Sequence, residues 1–177
     1  MPNGAAHEGT SLERIAQNIR RCQRCGLWKG AIYAVPGEGP RTAKAILVGQ
    51  NPGAEENKVG RPFVGRSGKY LNGVLERDGI DREELFITSV VKHATPKNRK
   101  PDEVEAAACM PYLIEQIGII KPKIIVLMGA LAQTLPMDEG ITYIKTCHPA
   151  AAMRFPKFRE VFESDIKRFK TQLDVLP

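Results

Sequence analysis

Residues 44–68 read KAILVGQNPGAEENKVGRPFVGRSG, and the fold turns on how that stretch divides. Ala45 to Gly49 is a solid apolar run. Such a run reads as a strand buried on both faces, the pattern of a parallel sheet covered by helices. At Gln50 it breaks into a long loop, Gln50–Gly68. The stretch from Gly49 to Gly68 holds five glycines, two prolines, a pair of glutamates and one phenylalanine, Phe63. Parallel sheets bind ligands beyond the carboxyl ends of their strands. A loop of this composition, leaving a strand there, marks a candidate site.

The rest of the chain repeats the alternation. Leu85–Val91, 123–129 (KIIVLMG) and 141–147 (ITYIKTC) read as three further strands. Between them the spacing predicts helices. One starts at Ser11, read as its N-cap, and turns Leu12, Ile15 and Ile19 to one side. A second runs over 67–80 with Tyr70, Leu71, Val74 and Leu75 inward and Gly79 as its stop. A third is capped by Asp102 and runs to Ile120, with a kink or break expected at Pro111. A short helix covers 130–135. The last covers 158–173, with Val161, Phe162, Ile166 and Phe169 inward. The expectation is one domain over residues 1–177 with a flexible tail, 1–10. Its class is α/β: three layers, α/β/α, around a central four-stranded parallel sheet.

Composition narrows the function. The 177 residues carry a formal net charge of +6, which favours an anionic partner. No basic-then-apolar leader pattern and no apolar run near the ~20 residues of a membrane span is seen. A cytoplasmic protein is expected, and its four cysteines are then thiols or metal ligands rather than disulfides.

Three loops follow strand ends: 50–68, 92–100 and 148–157. They should converge on one cleft. The first is neither a phosphate-binding GxxxxGK[ST] loop nor a GxGxxG fingerprint. Its glycines let backbone N–H groups approach a ligand, Phe63 offers a stacking face, and Asn51 and Glu56 offer polar handles; a surface loop anchored by one Phe reads equally well. His148, at a strand end, suits a donor to developing negative charge or an acid, or a histidine satisfied by local backbone. Met153 with Arg154 and Lys157 suits a wedge flanked by phosphate contacts, or an amphipathic turn. Lys92, Lys97, Arg99 and Lys100 suit a phosphate backbone, or a solvated basic loop.

Together these segments resemble a known family. GQNPGAEENKVGRPFVGRSG is similar to motif 1 of the uracil-DNA glycosylase superfamily, and HPAAAMR to its motif 2. GRPFVGRSG, the spacing to FITSVVKHATPKNRKP, and CQRCGL near the N-terminus point to family 4. The similarity covers Cys22 to about Leu173. The resemblance implies the uracil-DNA glycosylase fold and a DNA-repair enzyme that flips a base out of DNA and hydrolyses its N-glycosidic bond. Gln50, Gly53, Phe63 and Ser89 would hold the base, with Phe63 stacking on it. His148 would stabilise the departing anion. Asn51 would position water, with Glu56 as the electrostatic or base alternative. Met153 would fill the gap in the stack, and Arg154, Lys92 and Arg99 would face phosphate. The partner implied is DNA containing uracil or another deaminated base, met by a monomer in a prokaryotic, nucleoid-associated setting.

The sequence departs from the family in three places. GQNPG replaces the usual GEAPG or GEGPG, so Gln50 stands for a glutamate. Ser89 stands where the family has an Asn that reads uracil with a bidentate amide. Cys22, Cys25 and Cys109 match three of the four ligands of the family's [4Fe–4S] cluster, with Val126 where the fourth is expected; Cys147 adjoins His148 instead. His93 is expected to face DNA or the pocket. The chemistry itself requires no cofactor. Two alternatives stay open: a glycosylase preferring hypoxanthine or xanthine, and a catalytically silent DNA-binding or iron–sulfur protein on the same fold.

Overall fold

The computed structural model describes residues 11–177. The expected tail, 1–10, and the expected cap at the Ser11 side chain lie outside them. Ten principal elements follow in chain order. They are α1 Ser11–Arg20, β1 Ala45–Gly49, α2 Ala54–Val59, α3 Arg66–Arg77, β2 Phe86–Ser89, α4 Glu103–Ile120, β3 Ile124–Met128, β4 Thr142–Thr146, α5 Pro149–Arg154 and α6 Pro156–Asp174. The sheet is four-stranded, in the order β2-β1-β3-β4, and every pairing is parallel.

Strand alternation sorts the apolar residues into two layers. On one face Ile46, Val48, Phe86, Ile125 and Leu127 meet Ala106, Cys109, Leu113 and Ile117 of α4. On the other, Ala45, Leu47, Ile87, Val126 and Ile144 meet Leu71 and Leu75 of α3 and Phe162, Ile166 and Phe169 of α6. The three α6 side chains are fully buried, and each such burial stabilises by about 1.5–3 kcal/mol. The helix α1 packs outside α4 through Ile15 and Ile19. Helices on both faces of a parallel sheet form the α/β/α sandwich that the alternation of patterns predicts.

Three details differ from expectation. The helix α4 runs unbroken through Pro111. Pro111 and Ala107, whose carbonyl would have taken the missing N–H, are both exposed, so water can serve that carbonyl. Val161 is exposed rather than inward, because the α6 stripe is set by Phe162, Ile166 and Phe169 alone. The 50–68 loop contains a helix of its own, α2, which the glycines at both its ends made unreadable as one. Among the described residues no helix is long and apolar enough to cross a membrane.

Candidate functional site

Beyond the carboxyl ends of β1, β2 and β4 lies a cavity of about 620 Å³, within the range of small-ligand sites. All three expected loops reach it: Gln50, Asn51, Gly53, Glu56 and Phe63 from the first, Lys97 and Asn98 from the second, His148, Arg154 and Phe155 from the third. Ser89, at the end of β2, is buried and lines the same space.

His148 ends the β4 connection and caps α5: its Nδ1 accepts the Ala150 N–H at 3.1 Å. An imidazole nitrogen that accepts carries no proton, so in the neutral ring the proton is on Nε2. Burial pushes the His148 pKa down to about 4, against an opposing pull from Glu56. The side chain is therefore a neutral N–H donor at ordinary pH. Its ring lies 5.9 Å from that of Phe63 at an interplanar angle of 27°.

Phe63 is buried, with backbone φ of 50°. The left-handed region costs a non-glycine residue roughly 1–2 kcal/mol. Arg82 offsets that strain. Its guanidinium donates to the carbonyls of Pro62 (2.7 Å) and Phe63 (3.2 Å), to Asn72, and to Glu38 (3.0 Å). Burial alone would raise the Glu38 carboxyl; hydrogen bonds from Arg61 and Arg82 outweigh it and hold it below its ordinary range. Gly49 completes the seat, since a Cβ there would fall 2.6 Å from the Phe63 ring.

Glu56 is bound into the loop that carries it. Its carboxylate accepts three backbone N–H groups, from Gly53 (3.1 Å), Val64 (2.8 Å) and Gly65 (2.7 Å). Those bonds tie the two ends of the glycine loop together and give Glu56 a positioning role at the cavity wall. Asn51 bridges two loops: its amide nitrogen reaches Pro52 O, Thr95 Oγ1 and Asn98 Oδ1, and its Oδ1 accepts from Gln50.

The basic residues divide sharply. Lys92 is fully buried and cannot touch phosphate. Its Nζ donates to Thr88 Oγ1 (2.6 Å), Ser89 O (2.7 Å) and Gln116 Oε1 (2.9 Å). Thr88 and Gln116 both donate to Pro36 O, closing a buried ring. Burial pushes the Lys92 pKa down to about 7, while its three acceptors match the three N–H bonds of the ammonium form. Arg99 is exposed and pairs with Glu105 by two hydrogen bonds of 2.6 and 2.8 Å. Lys97, Lys100, Arg154 and Lys157 remain exposed. His93 is buried away from the cavity, and its Nδ1 has no partner among the described residues. Met153 is half-buried and outside the cavity lining, whereas Phe155 is on it and 54% exposed.

The cysteines do not complete a cluster site. Tyr112 packs with Cys22 and carries Arg24 over its ring at 4.4 Å. Burial pushes the Cys25 and Cys109 thiols up from their ordinary value. The place given to Val126 is corrected: alternation turns its side chain to the opposite sheet face from Cys109, among Phe63 and Leu71. The β3 side chains on the face of Cys109 are Ile125 and Leu127, both aliphatic. Among the described residues no group of three or more His, Cys, Asp or Glu side chains is arranged to hold a metal ion. The residues present do not fit a four-thiolate [4Fe–4S] group.

Sequence reasoning missed Arg82, the Lys92 ring and Phe155. An arginine in a short DREE turn carries no local signal, and a lysine in a basic loop reads as solvated. Phe155 had one: the Phe-Pro step, which forces the extended backbone that separates two helices.

Comparison with known proteins adds the last observation. Residues 36–170 match the family described as "Uracil DNA glycosylase superfamily". The chain is 39% identical to a type-4 uracil-DNA glycosylase of Sulfurisphaera tokodaii over 94% of this chain and 86% of that one. It is 40% identical to one of Pyrobaculum aerophilum, over 89% and 92%. A third, of Saccharolobus solfataricus, is 39% identical over 94% and 88%.

Proposed function

The chain belongs to the uracil DNA glycosylase superfamily, and from that premise we propose that it removes uracil from DNA by hydrolysing the N-glycosidic bond. The observation that carries the chemistry is the committed neutral His148 beside Phe63 over a polar cavity. A nucleotide flipped from the helix places its base in that cavity. Phe63 stacks on its face; Ser89 and Gln50 meet its edges. As the C1′–N1 bond breaks, its electron pair stays with the base, and the sugar becomes an oxocarbenium-like cation. His148 Nε2–H donates to the carbonyl oxygen where the negative charge collects, and a preorganised donor is most effective there. Water adds to C1′ and its proton passes through solvent to the departing base anion, leaving an abasic site and the neutral free base. Asn51 orients that water. An amide takes no proton at neutral pH, so orientation is the whole of its part. No electron is exchanged, so the reaction needs no redox cofactor.

A second reading, release of hypoxanthine or xanthine, has one observation in its favour: Ser89 offers a hydroxyl where a bidentate amide would enforce uracil. Oligonucleotides carrying uracil, hypoxanthine, xanthine or thymine opposite each normal base test both. The expected result is fast uracil release, slower hypoxanthine release and an untouched thymine strand. DNA binding with no base released would instead make the protein a silent binder.

A further inference from the structure

The site described so far holds the flipped base but leaves the gap in the helix unexplained. Met153 is half-buried and does not line the cavity. Its carbonyl also accepts a long hydrogen bond from Arg159, 3.4 Å. Phe155 differs in exposure and in backbone conformation. It is the single extended residue between α5 and α6, with φ −126° and ψ 118°. Pro156 enforces that conformation. Its N–H bonds Ala151 O at 3.0 Å and its carbonyl accepts Arg159 N–H at 3.0 Å, so the corner is held from both sides. The ring lines the cavity mouth and stands 54% exposed. Phe158, 42% exposed, packs against it edge-on at 5.9 Å and 78°. Cys147, the neighbour of His148, donates to Phe158 O at 3.3 Å, which ties this aromatic corner to the catalytic strand end.

An exposed aromatic pair on a rigid corner is costly to leave in water unless something covers it. The surrounding side chains say what does: Arg154, Lys157 and Arg159 flank it, all basic and exposed. Resting on the glycosylase reading, we propose that Phe155, backed by Phe158, is the wedge that enters the base stack of duplex DNA when the target nucleotide leaves it. Proteins that unstack a step insert an apolar side chain there, and an aromatic face stacks on the neighbouring base whatever its identity. A duplex needs the wedge to replace lost stacking. A single strand, whose bases unstack easily, needs it far less.

The test is single-turnover uracil release from single-stranded and duplex oligonucleotides of one sequence. Phe155→Ala should lower the duplex-to-single-strand rate ratio roughly tenfold or more, Phe155→Leu should restore most of it, and Met153→Ala should move it by less than about threefold. An unchanged ratio in Phe155→Ala, or an equal loss in Met153→Ala, overturns the proposal. A second measurement is independent of catalysis: 2-aminopurine placed beside a non-cleavable abasic analogue in duplex DNA. Wild-type protein should change its fluorescence on binding and Phe155→Ala should not; equal responses overturn the wedge. A wild type that releases no uracil from either substrate refutes the glycosylase reading alone, because the fluorescence arm still decides the wedge.

Discussion

His148 depends on one backbone hydrogen bond. Because Nδ1 accepts from Ala150, the donor is on Nε2, aimed by the helix cap rather than by a partner carboxylate. His148→Ala should lower single-turnover uracil release by a factor on the order of 10²–10³, as when a donor to a developing anion is removed. The pH dependence follows from the same bond. Protonating Nδ1 destroys the acceptor that Ala150 needs, so the neutral ring is the working form. With the folded pKa pushed down to about 4, the rate should stay level from neutral pH to about pH 5 and fall only as pH drops through 4. A profile breaking near the ordinary histidine value, about 6.5, would show that Nδ1 is free. Ser89→Asn should shift selection toward uracil over hypoxanthine by on the order of 1–3 kcal/mol, the worth of a bidentate contact. The same uracil-to-hypoxanthine ratio in wild type and mutant would remove Ser89 from base reading.

At the scale of elements, the glycine loop is an assembly rather than a flexible strap. Glu56 gathers three of its N–H groups, and Arg82, from the turn before β2, clamps the Pro62 and Phe63 carbonyls from outside the cavity. The clamp is what keeps Phe63 in its left-handed conformation under His148. Arg82→Gln should cost about 2–3 kcal/mol in urea unfolding, as for lost hydrogen bonds to a charged group. It should also raise KM more than it lowers kcat, since the stacking face is displaced while His148 stays. Full stability with unaltered kinetics would show that Phe63 holds itself in place.

For the whole molecule, charge counts only where it is exposed. Of the +6 formal excess, Lys92 is sealed inside and Arg99 is paired. Lys97 and Arg154 are exposed cations on the cavity lining, and Lys100 and Lys157 are exposed on the same two loops. Four phosphate contacts give a log–log salt slope of roughly −3 to −4 for binding to abasic-site DNA. Lys97→Ala or Arg154→Ala should each flatten the slope by about one, and Lys92→Met should leave it where it was. A change of slope in Lys92→Met would mean that this lysine reaches DNA after all.

The alternation of apolar runs with 3.6-residue patterns, the glycine loop at the end of β1 and the His-Pro step at the end of β4 were legible because each is local. They are periods and neighbours along the chain, and from them came the parallel sheet, the cavity's position and the residues Phe63 and His148 that line it, while Ser89 was marked by the family resemblance alone. What the tertiary structure decided depends on burial, which sequence spacing does not encode. Lys92 sits in a basic loop by sequence and in a buried hydrogen-bonded ring by structure, because β2, α4 and the Val35–Pro36 segment meet around it. Val126 is one residue from the face that Cys109 shares, and a period of two makes one residue the whole difference. Glu56 became a loop tie, and Phe155 rather than Met153 the exposed side chain on the cavity lining, because folding alone determines which atoms meet and which remain in water.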